Sequence, residues 1–145
     1  MNKKILPYVV LTLALTTFAC SKKSETPVAD VNLGATISGL INIAPELQAK
    51  ATSAHTLFII ARKDAGPPLA VKKIDNPTFP LAYVISGSDA MFPGTPFQGE
   101  VRVTARIDSD GSAGPAQPGD LEGAATKNPA RVGERDVDIV IDRSL

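Results

Sequence analysis

The chain has 145 residues, of which 15 are basic and 15 are acidic, so its formal net charge is zero. Proteins that bind nucleic acid normally carry a basic surplus, and we therefore expect no nucleic-acid partner. With a single cysteine the chain cannot form an internal disulfide, and its length fits one domain with one hydrophobic core.

The N-terminus carries the features of an export signal. Lys3 and Lys4 precede an apolar run from Ile5 to Ala19, and this run ends at Cys20. It is shorter than the roughly 20 residues that a spanning helix needs and fits the core of a signal peptide. We therefore expect residues 1–19 to be a lipoprotein signal peptide that is absent from the mature protein.

Cys20 is preceded by the small residue Ala19, as in a bacterial lipobox. The two residues before Ala19 depart from the usual lipobox, which leaves an ordinary secretory signal or an uncleaved anchor as alternatives. We expect acyl chains such as palmitate on Cys20, so that the membrane is contacted through an N-terminal lipid. Ser21, in place of an aspartate, favours the outer membrane, with the protein facing the periplasm. Residues 20–33 are polar and have no apolar period, which predicts a flexible tether.

Residues 34–145 show the two-residue apolar period of short, half-buried strands, separated by turns rich in proline and glycine. Residues 45–50 are expected to form one helical turn that begins at Pro45. The predicted strands cover residues 35–43, 55–62, 69–74, 79–84, 101–107 and 136–142. No segment shows a sustained helical period, so the pattern predicts an all-β fold, an antiparallel β-sandwich of about six to seven strands. The predicted core residues are Ile37, Ile41, Ile59, Leu81, Val101, Val103, Ile139 and Ile141.

The strand over 55–62 is apolar on both faces, with Leu57 and Ile59 on one and Phe58 and Ile60 on the other. Such a strand is either central with its outer face covered or available to a partner. The long loop from Ser86 to Gln98 carries Met91, Phe92 and Phe97, which either cap the core or contact a peptide. The candidate protein-contact residues are therefore Phe58, Met91, Phe92 and Phe97.

Three arginines form a candidate anion contact. Arg102 and Arg106 share one strand face, and Arg62 ends another strand. Guanidinium groups hold carboxylates, including haem propionates, through paired hydrogen bonds. The alternative is that these side chains simply form a solvated sheet face.

No constellation for catalysis or metal binding is present in the sequence. His55 is the only histidine, so copper sites, three-histidine zinc sites and c-type haem attachment lack their ligands. The aspartate-rich stretch that starts at Asp108 places Ala113 where a calcium loop requires glycine and Gly119 where it requires glutamate. An Asp-Gly turn in a hairpin explains this aspartate-rich stretch better than a calcium loop does. We expect no metal, no cofactor and no enzymatic activity.

Several landmarks occur in the order typical of one protein family. They are ISGLINIAPEL, TLFIIAR, GPPLAV, FPLAYVI, DAMFPG, VRVTARID, QPGDLEG and VDIVID. From Ala35 to Leu145 the chain resembles the C-terminal domain of the CycH family, the apocytochrome c chaperones of bacterial cytochrome c maturation. The resemblance implies an immunoglobulin-like sandwich and no catalytic residue. Family members also have a membrane anchor and a helical-repeat region, and the repeats are the part credited with gripping the apocytochrome.

The expected function is that of a lipid-anchored, periplasm-facing binding or chaperone module in cytochrome c biogenesis. Its partner would be apocytochrome c or a protein of the maturation machinery. The alternative is a structural envelope lipoprotein that uses the sandwich to bind another protein.

Overall fold

The computed structural model describes residues 35–51 and 56–145, so the predicted signal peptide, Cys20, the tether and His55 lie outside the described residues. The described residues form eight strands. They are β1 (Thr36–Ile43), β2 (Thr56–Arg62), β3 (Pro68–Asp75), β4 (Leu81–Ser86), β5 (Glu100–Asp108), β6 (Leu121–Ala125), β7 (Ala130–Arg131) and β8 (Ile139–Ser144). A 3₁₀ turn at Pro45–Leu47 leads into the short helix α1 (Gln48–Ala51), where a helical turn was predicted. In this part of the chain, no helix has both the length and the apolar character to cross a membrane.

Seven strands form one sheet in the order β3-β2-β5-β6-β8-β1-β4, and β7 pairs with the start of β5. All neighbours are antiparallel except β1 and β8, which run parallel with Ile41 opposite Ile139. The all-β prediction is confirmed. The predicted antiparallel pairing holds for every pair except β1–β8, and β6 and β7 add two strands to the six that the alternation marked.

The inward side chains of the sheet meet in one core. Every predicted core residue is fully buried except Leu81, which is partly buried and packs against the others. Further members come from the same faces, including Leu57, Ala105 and Ile107. Because inward residues of both edge strands, β3 and β4, belong to this cluster with those of the central strands, the sheet folds over on itself around the core.

The apolar outer face of β2 is covered, as the first of the two alternatives predicted. β2 lies between β3 and β5, and both Phe58 and Ile60 on its outer face are buried. Phe58 sits between Lys73 of β3 and Arg106 of β5 in the strand register. The chain between β5 and β6 lies on this side, because the Arg106 guanidinium donates to the Gly114 carbonyl at 2.8 Å.

The predicted strand over 136–142 begins only at Ile139, because the residues before it pack closely over β1. The Val137 amide donates to the Ser38 carbonyl at 3.0 Å, and the Tyr83 hydroxyl donates to the Val137 carbonyl at 2.6 Å. This approach is possible because β1 has no side chain at Gly39, where an added Cβ would meet the Val137 backbone. The segment thus crosses β1 at the one position that has room for a second backbone.

Candidate binding surfaces

Met91 and Phe92 form the most exposed apolar pair in the described part of the chain. Their exposed fractions are 51% and 63%, in a loop whose two ends are fixed. The Met91 amide donates to the Leu69 carbonyl at 3.0 Å, and Ala90 forms an isolated bridge to Ala70. These contacts join the loop after β4 to the edge of β3.

The loop has a firm base on either side of this exposed pair. At its start, the Ser86 side chain accepts from the Ser88 amide while the Asp89 carboxylate accepts from the Ser86 amide, a reciprocal capping box. Asp89 also lies 3.5 Å from the Lys72 ammonium of β3. Phe97, at the far end, is buried in the core. The exposed pair is therefore presented by an anchored loop.

Phe58 and Phe97 are not available as contact residues, which corrects that part of the expectation. Phe58 is 3% exposed and Phe97 is 2% exposed, so both cap or fill the interior. Sequence alone did not separate them from Met91 and Phe92, because all four are large apolar residues in segments with no clear facing. The placement of the four residues leaves Met91 and Phe92 as the accessible candidates.

The three candidate arginines line one hollow on the outer face of β2 and β5. The hollow has a volume of about 230 Å³ and is lined by Ile60, Arg62, Asp64, Arg102, Thr104, Arg106 and Glu122. The register explains the arrangement: Arg62 lies opposite Arg102, Ile60 opposite Thr104, and Phe58 opposite Arg106. Arg62 and Arg102 are exposed, whereas Arg106 is buried.

Arg106 belongs to a buried ion cluster, which sets it apart from the other two arginines. Its Nη2 lies 3.2 Å from Asp108 Oδ2, and its Nε lies 3.8 Å from Asp120 Oδ2. All three side chains are almost completely buried. Arg106 therefore fixes the chain between β5 and β6, and it contacts the hollow from a position held by two carboxylates.

The two carboxyls of this cluster are shifted in opposite directions. Burial raises the pKa of Asp108, and the nearby Asp110 adds to that increase. Burial alone would also raise the pKa of Asp120. The pKa nevertheless lies below its ordinary value, because the carboxylate accepts hydrogen bonds from the Gln117 and Ser109 amides and from the Ser109 hydroxyl and lies near the charge of Arg106. The hydrogen bonds to Asp120 thus stabilise the connection between β5 and β6, where a hairpin turn was predicted.

A larger cleft of about 670 Å³ was not predicted. It lies between α1 and the residues before β4, and its polar side chains are neutral: Asn42, Gln48, Asn76 and Thr78. Ile43 and Phe79 supply its apolar surface. No sequence pattern marked this cleft, because its residues come from three separate segments with no common motif.

The described residues contain no group of three or more histidine, cysteine, aspartate or glutamate side chains arranged to hold a metal ion. Among the described residues, shifted pKa values belong to the Asp108 and Asp120 carboxyls and to Tyr83, whose pKa is raised by burial and by the charge of Asp138. The Tyr83 hydroxyl is committed to the Val137 carbonyl. These surfaces have the chemistry of binding: an anchored apolar loop beside a cationic hollow.

The comparisons with known proteins agree with the all-β fold. The family described as the cytochrome c-type biogenesis protein H Ig-like domain matches residues 28–142. The chain therefore belongs to this family of immunoglobulin-like domains, which confirms the resemblance found in the sequence.

Two relatives differ in how much of each chain they share. A protein of Aquifex aeolicus described as uncharacterized is 29% identical over an alignment of 145 positions that covers 94% of each chain. The cytochrome c-type biogenesis protein CycH of Pseudomonas aeruginosa is 30% identical over an alignment of 91 positions that covers 60% of this chain and 22% of that protein. No solved structure matches the chain.

Proposed function

We propose that this protein is a lipid-anchored, periplasm-facing binding module of cytochrome c maturation, and that it holds apocytochrome c or a protein of the maturation machinery. The observation that carries the proposal is membership of the CycH Ig-like family over residues 28–142. The matched region of CycH is 22% of that protein, so the proposal concerns the role of this domain.

The surface of the domain supports binding through the loop that carries Met91 and Phe92. Large apolar side chains at the centre of an interface contribute most of the binding energy, and a loop that is already ordered loses little entropy on association. This pair is more than half exposed, and its loop is held by the β3 edge on one side and by Phe97 on the other, which supports the proposal.

The test measures binding of purified apocytochrome c and holocytochrome c to the full chain. We expect the apocytochrome to bind and the holocytochrome to bind weakly or not at all. Met91→Ala and Phe92→Ala should each weaken apocytochrome binding about tenfold or more, as truncation of a central contact does. Their melting curves should match that of the wild type, because both side chains are exposed.

Val84→Ala is the matched control, since Val84 is an exposed apolar residue of β4, 47% exposed, outside the loop. It should leave binding unchanged. If no apocytochrome binds to the wild-type chain and affinity capture from envelope extracts recovers no protein of the maturation machinery, the proposal fails. The alternative of a structural lipoprotein with another protein partner then takes its place. If Met91→Ala and Phe92→Ala bind like Val84→Ala, the contact surface is not this loop.

The lipid anchor rests on Cys20 and the apolar run before it. Two acyl attachments hold a protein firmly in a membrane, whereas one chain binds only marginally. Cys20→Ser should release the protein from the membrane fraction or block removal of residues 1–19. Fractionation of envelope membranes, with mass spectrometry of the mature N-terminus, checks both outcomes and separates the inner from the outer membrane. A processed Cys20→Ser protein that stays with the membrane contradicts the anchor.

A further inference from the structure

Arg62 and Arg102 face each other directly across the β2–β5 pair. Side chains in such positions have Cβ atoms about 4.5–5.5 Å apart, and like charges there are destabilising. Within the described residues neither arginine has a carboxylate within ion-pair distance, whereas Arg106 and Arg143 both have one. The free protein therefore keeps two cations side by side without compensation.

The hollow around this pair offers further donors to an anion. Arg106, at its other end, is buried, and its Nε has no hydrogen-bond partner. Thr104 lies between the arginines on the same face of β5. An acceptor in the hollow would bridge the arginine pair, whose like charges otherwise face each other.

The charge of the hollow fits a singly charged group. Of its two carboxylates, Glu122 is paired with Arg143 at 2.9 Å, whereas Asp64 has no ion pair among the described residues. Arg62 and Arg102 therefore outnumber the unpaired carboxylate by one positive charge. A volume of about 230 Å³ is below the roughly 300–1,000 Å³ of sites that enclose a drug-sized ligand, so the hollow accepts one group of a larger partner.

The hollow is also continuous with the exposed apolar loop. In the register Arg62 lies opposite Pro68 at the start of β3, and the next residue, Leu69, accepts the Met91 amide. Two strand spacings of about 4.8 Å thus separate the backbones of Arg62 and Met91, which is roughly 10 Å. An extended polypeptide covers that distance in about three residues.

From these observations we propose that the hollow of Arg62, Arg102, Thr104 and Arg106 binds a carboxylate of an extended polypeptide whose apolar side chain, about three residues away, contacts Met91. The guanidinium forks hold the carboxylate, and the apolar loop provides the adjoining contact. The inference rests on the proposed function only in that the partner is a polypeptide. It adds the chemical group that is recognised and the side chains that recognise it.

The probe is the N-acetylated tetrapeptide Leu-Ala-Ala-Ala with a free C-terminal carboxylate, titrated into the full chain and followed by ¹⁵N-resolved NMR that includes the arginine Nε–H signals. We expect shifts at Arg62, Arg102 and the Arg106 Nε–H. The same peptide with a C-terminal amide should bind at least about tenfold more weakly, since a charge-assisted hydrogen bond is lost. The amidated peptide Leu-Ala-Ala-Glu shows whether a side-chain carboxylate serves as well as a terminal one.

Arg62→Gln and Arg102→Gln should each weaken binding of the carboxylate peptide about tenfold or more. Arg135→Gln, an exposed arginine elsewhere, is the control and should change nothing. A second readout separates a binding role from a structural one. In low salt and without peptide, Arg102→Gln should raise the urea midpoint of unfolding, because it removes the facing positive charge.

The proposal is overturned if the amidated Leu-Ala-Ala-Ala peptide binds as well as the carboxylate peptide, or if the Arg62 and Arg102 variants behave like Arg135→Gln. Inorganic phosphate that binds more tightly than the carboxylate peptide at equal ionic strength would also overturn it. Apocytochrome binding is measured separately. If it persists while the peptide fails, this inference is wrong and the proposed function stands. If the peptide binds while the apocytochrome does not, this inference stands and apocytochrome c is not the partner.

Discussion

A methyl group added at Gly39 should destabilise the domain severely, because the space it needs is filled by backbone. The new Cβ of Gly39→Ala would contact the Val137 carbonyl oxygen and lie 2.6 Å from the carbonyl carbon, so the two segments must move apart. Overpacking of this kind costs about 1–3 kcal/mol. Separation also breaks the buried hydrogen bond from the Tyr83 hydroxyl to the Val137 carbonyl, which adds about 1–3 kcal/mol.

The expected loss in the free energy of unfolding is therefore about 2–6 kcal/mol, a large share of the about 5–15 kcal/mol that stabilises a typical domain. Urea unfolding followed by circular dichroism should show a midpoint lower by about 2 M. Gly114→Ala is the matched control, because a Cβ there meets only the Ser112 hydroxyl at 3.6 Å. A Gly39→Ala midpoint equal to that of Gly114→Ala would refute the close crossing of β1 by the segment before β8.

Two further predictions concern the core and the buried ion cluster. Ile139→Ala should lower the free energy of unfolding by about 2–5 kcal/mol. Val140→Ala, on the exposed face of the same strand, should change it by about 0.5 kcal/mol or less. Equal melting temperatures of the two variants would mean that the facing of β8 is inverted. Because the pKa of Asp120 is lowered in the folded state, its carboxyl is protonated first in the unfolded chain, near its ordinary pKa of about 3.9. The stabilisation that the Asp120 carboxylate gives to the folded state should thus be present above that pH and be lost as the pH falls further. The pKa of Asp108 is raised in the folded state, so protonation of Asp108 in acid favours the folded state instead. Asp120→Asn should lower the free energy of unfolding by about 1–3 kcal/mol at neutral pH. As the pH falls, the variant should lose less further stability than the wild type. If the stability of both proteins falls in parallel with pH, this role of Asp120 is contradicted.

The six predicted strands were marked by apolar residues at alternate positions or, in β2, at consecutive positions. In β1, β5 and β8 most of the inward residues are isoleucine or valine, and these side chains lie in the core. β6, with the sequence LEGAA, was missed because its inward positions include Gly123, where an added Cβ would meet the backbone of β8. Close backbone contact requires a small residue there, which weakens the alternation that marks a strand. The parallel pairing of β1 with β8 joins the two ends of the domain, and no local pattern reports such a pairing.

The candidate sites were predictable in composition but not in placement. The sequence marked Arg62, Arg102 and Arg106 as one set, yet only the register shows that two of them face each other and that the third is buried. In a strand the period of two assigns a face, and what covers that face depends on distant segments. For this reason the buried Phe58 and the exposed Met91 both met the sequence criteria for an apolar contact.

In the proposed mode of binding, the two candidate surfaces have separate roles. The loop that carries Met91 and Phe92 offers apolar area, which supplies affinity but does not distinguish the two directions of an extended chain. The arginine hollow lies on one side of that loop, beyond β3, and charged groups fix the register of a complex more than they add to its affinity. A polypeptide whose carboxylate enters the hollow can place its apolar residue on the loop in one orientation only. The fold holds both surfaces on β3 and its neighbours, so the direction of a bound chain is set by the sheet itself.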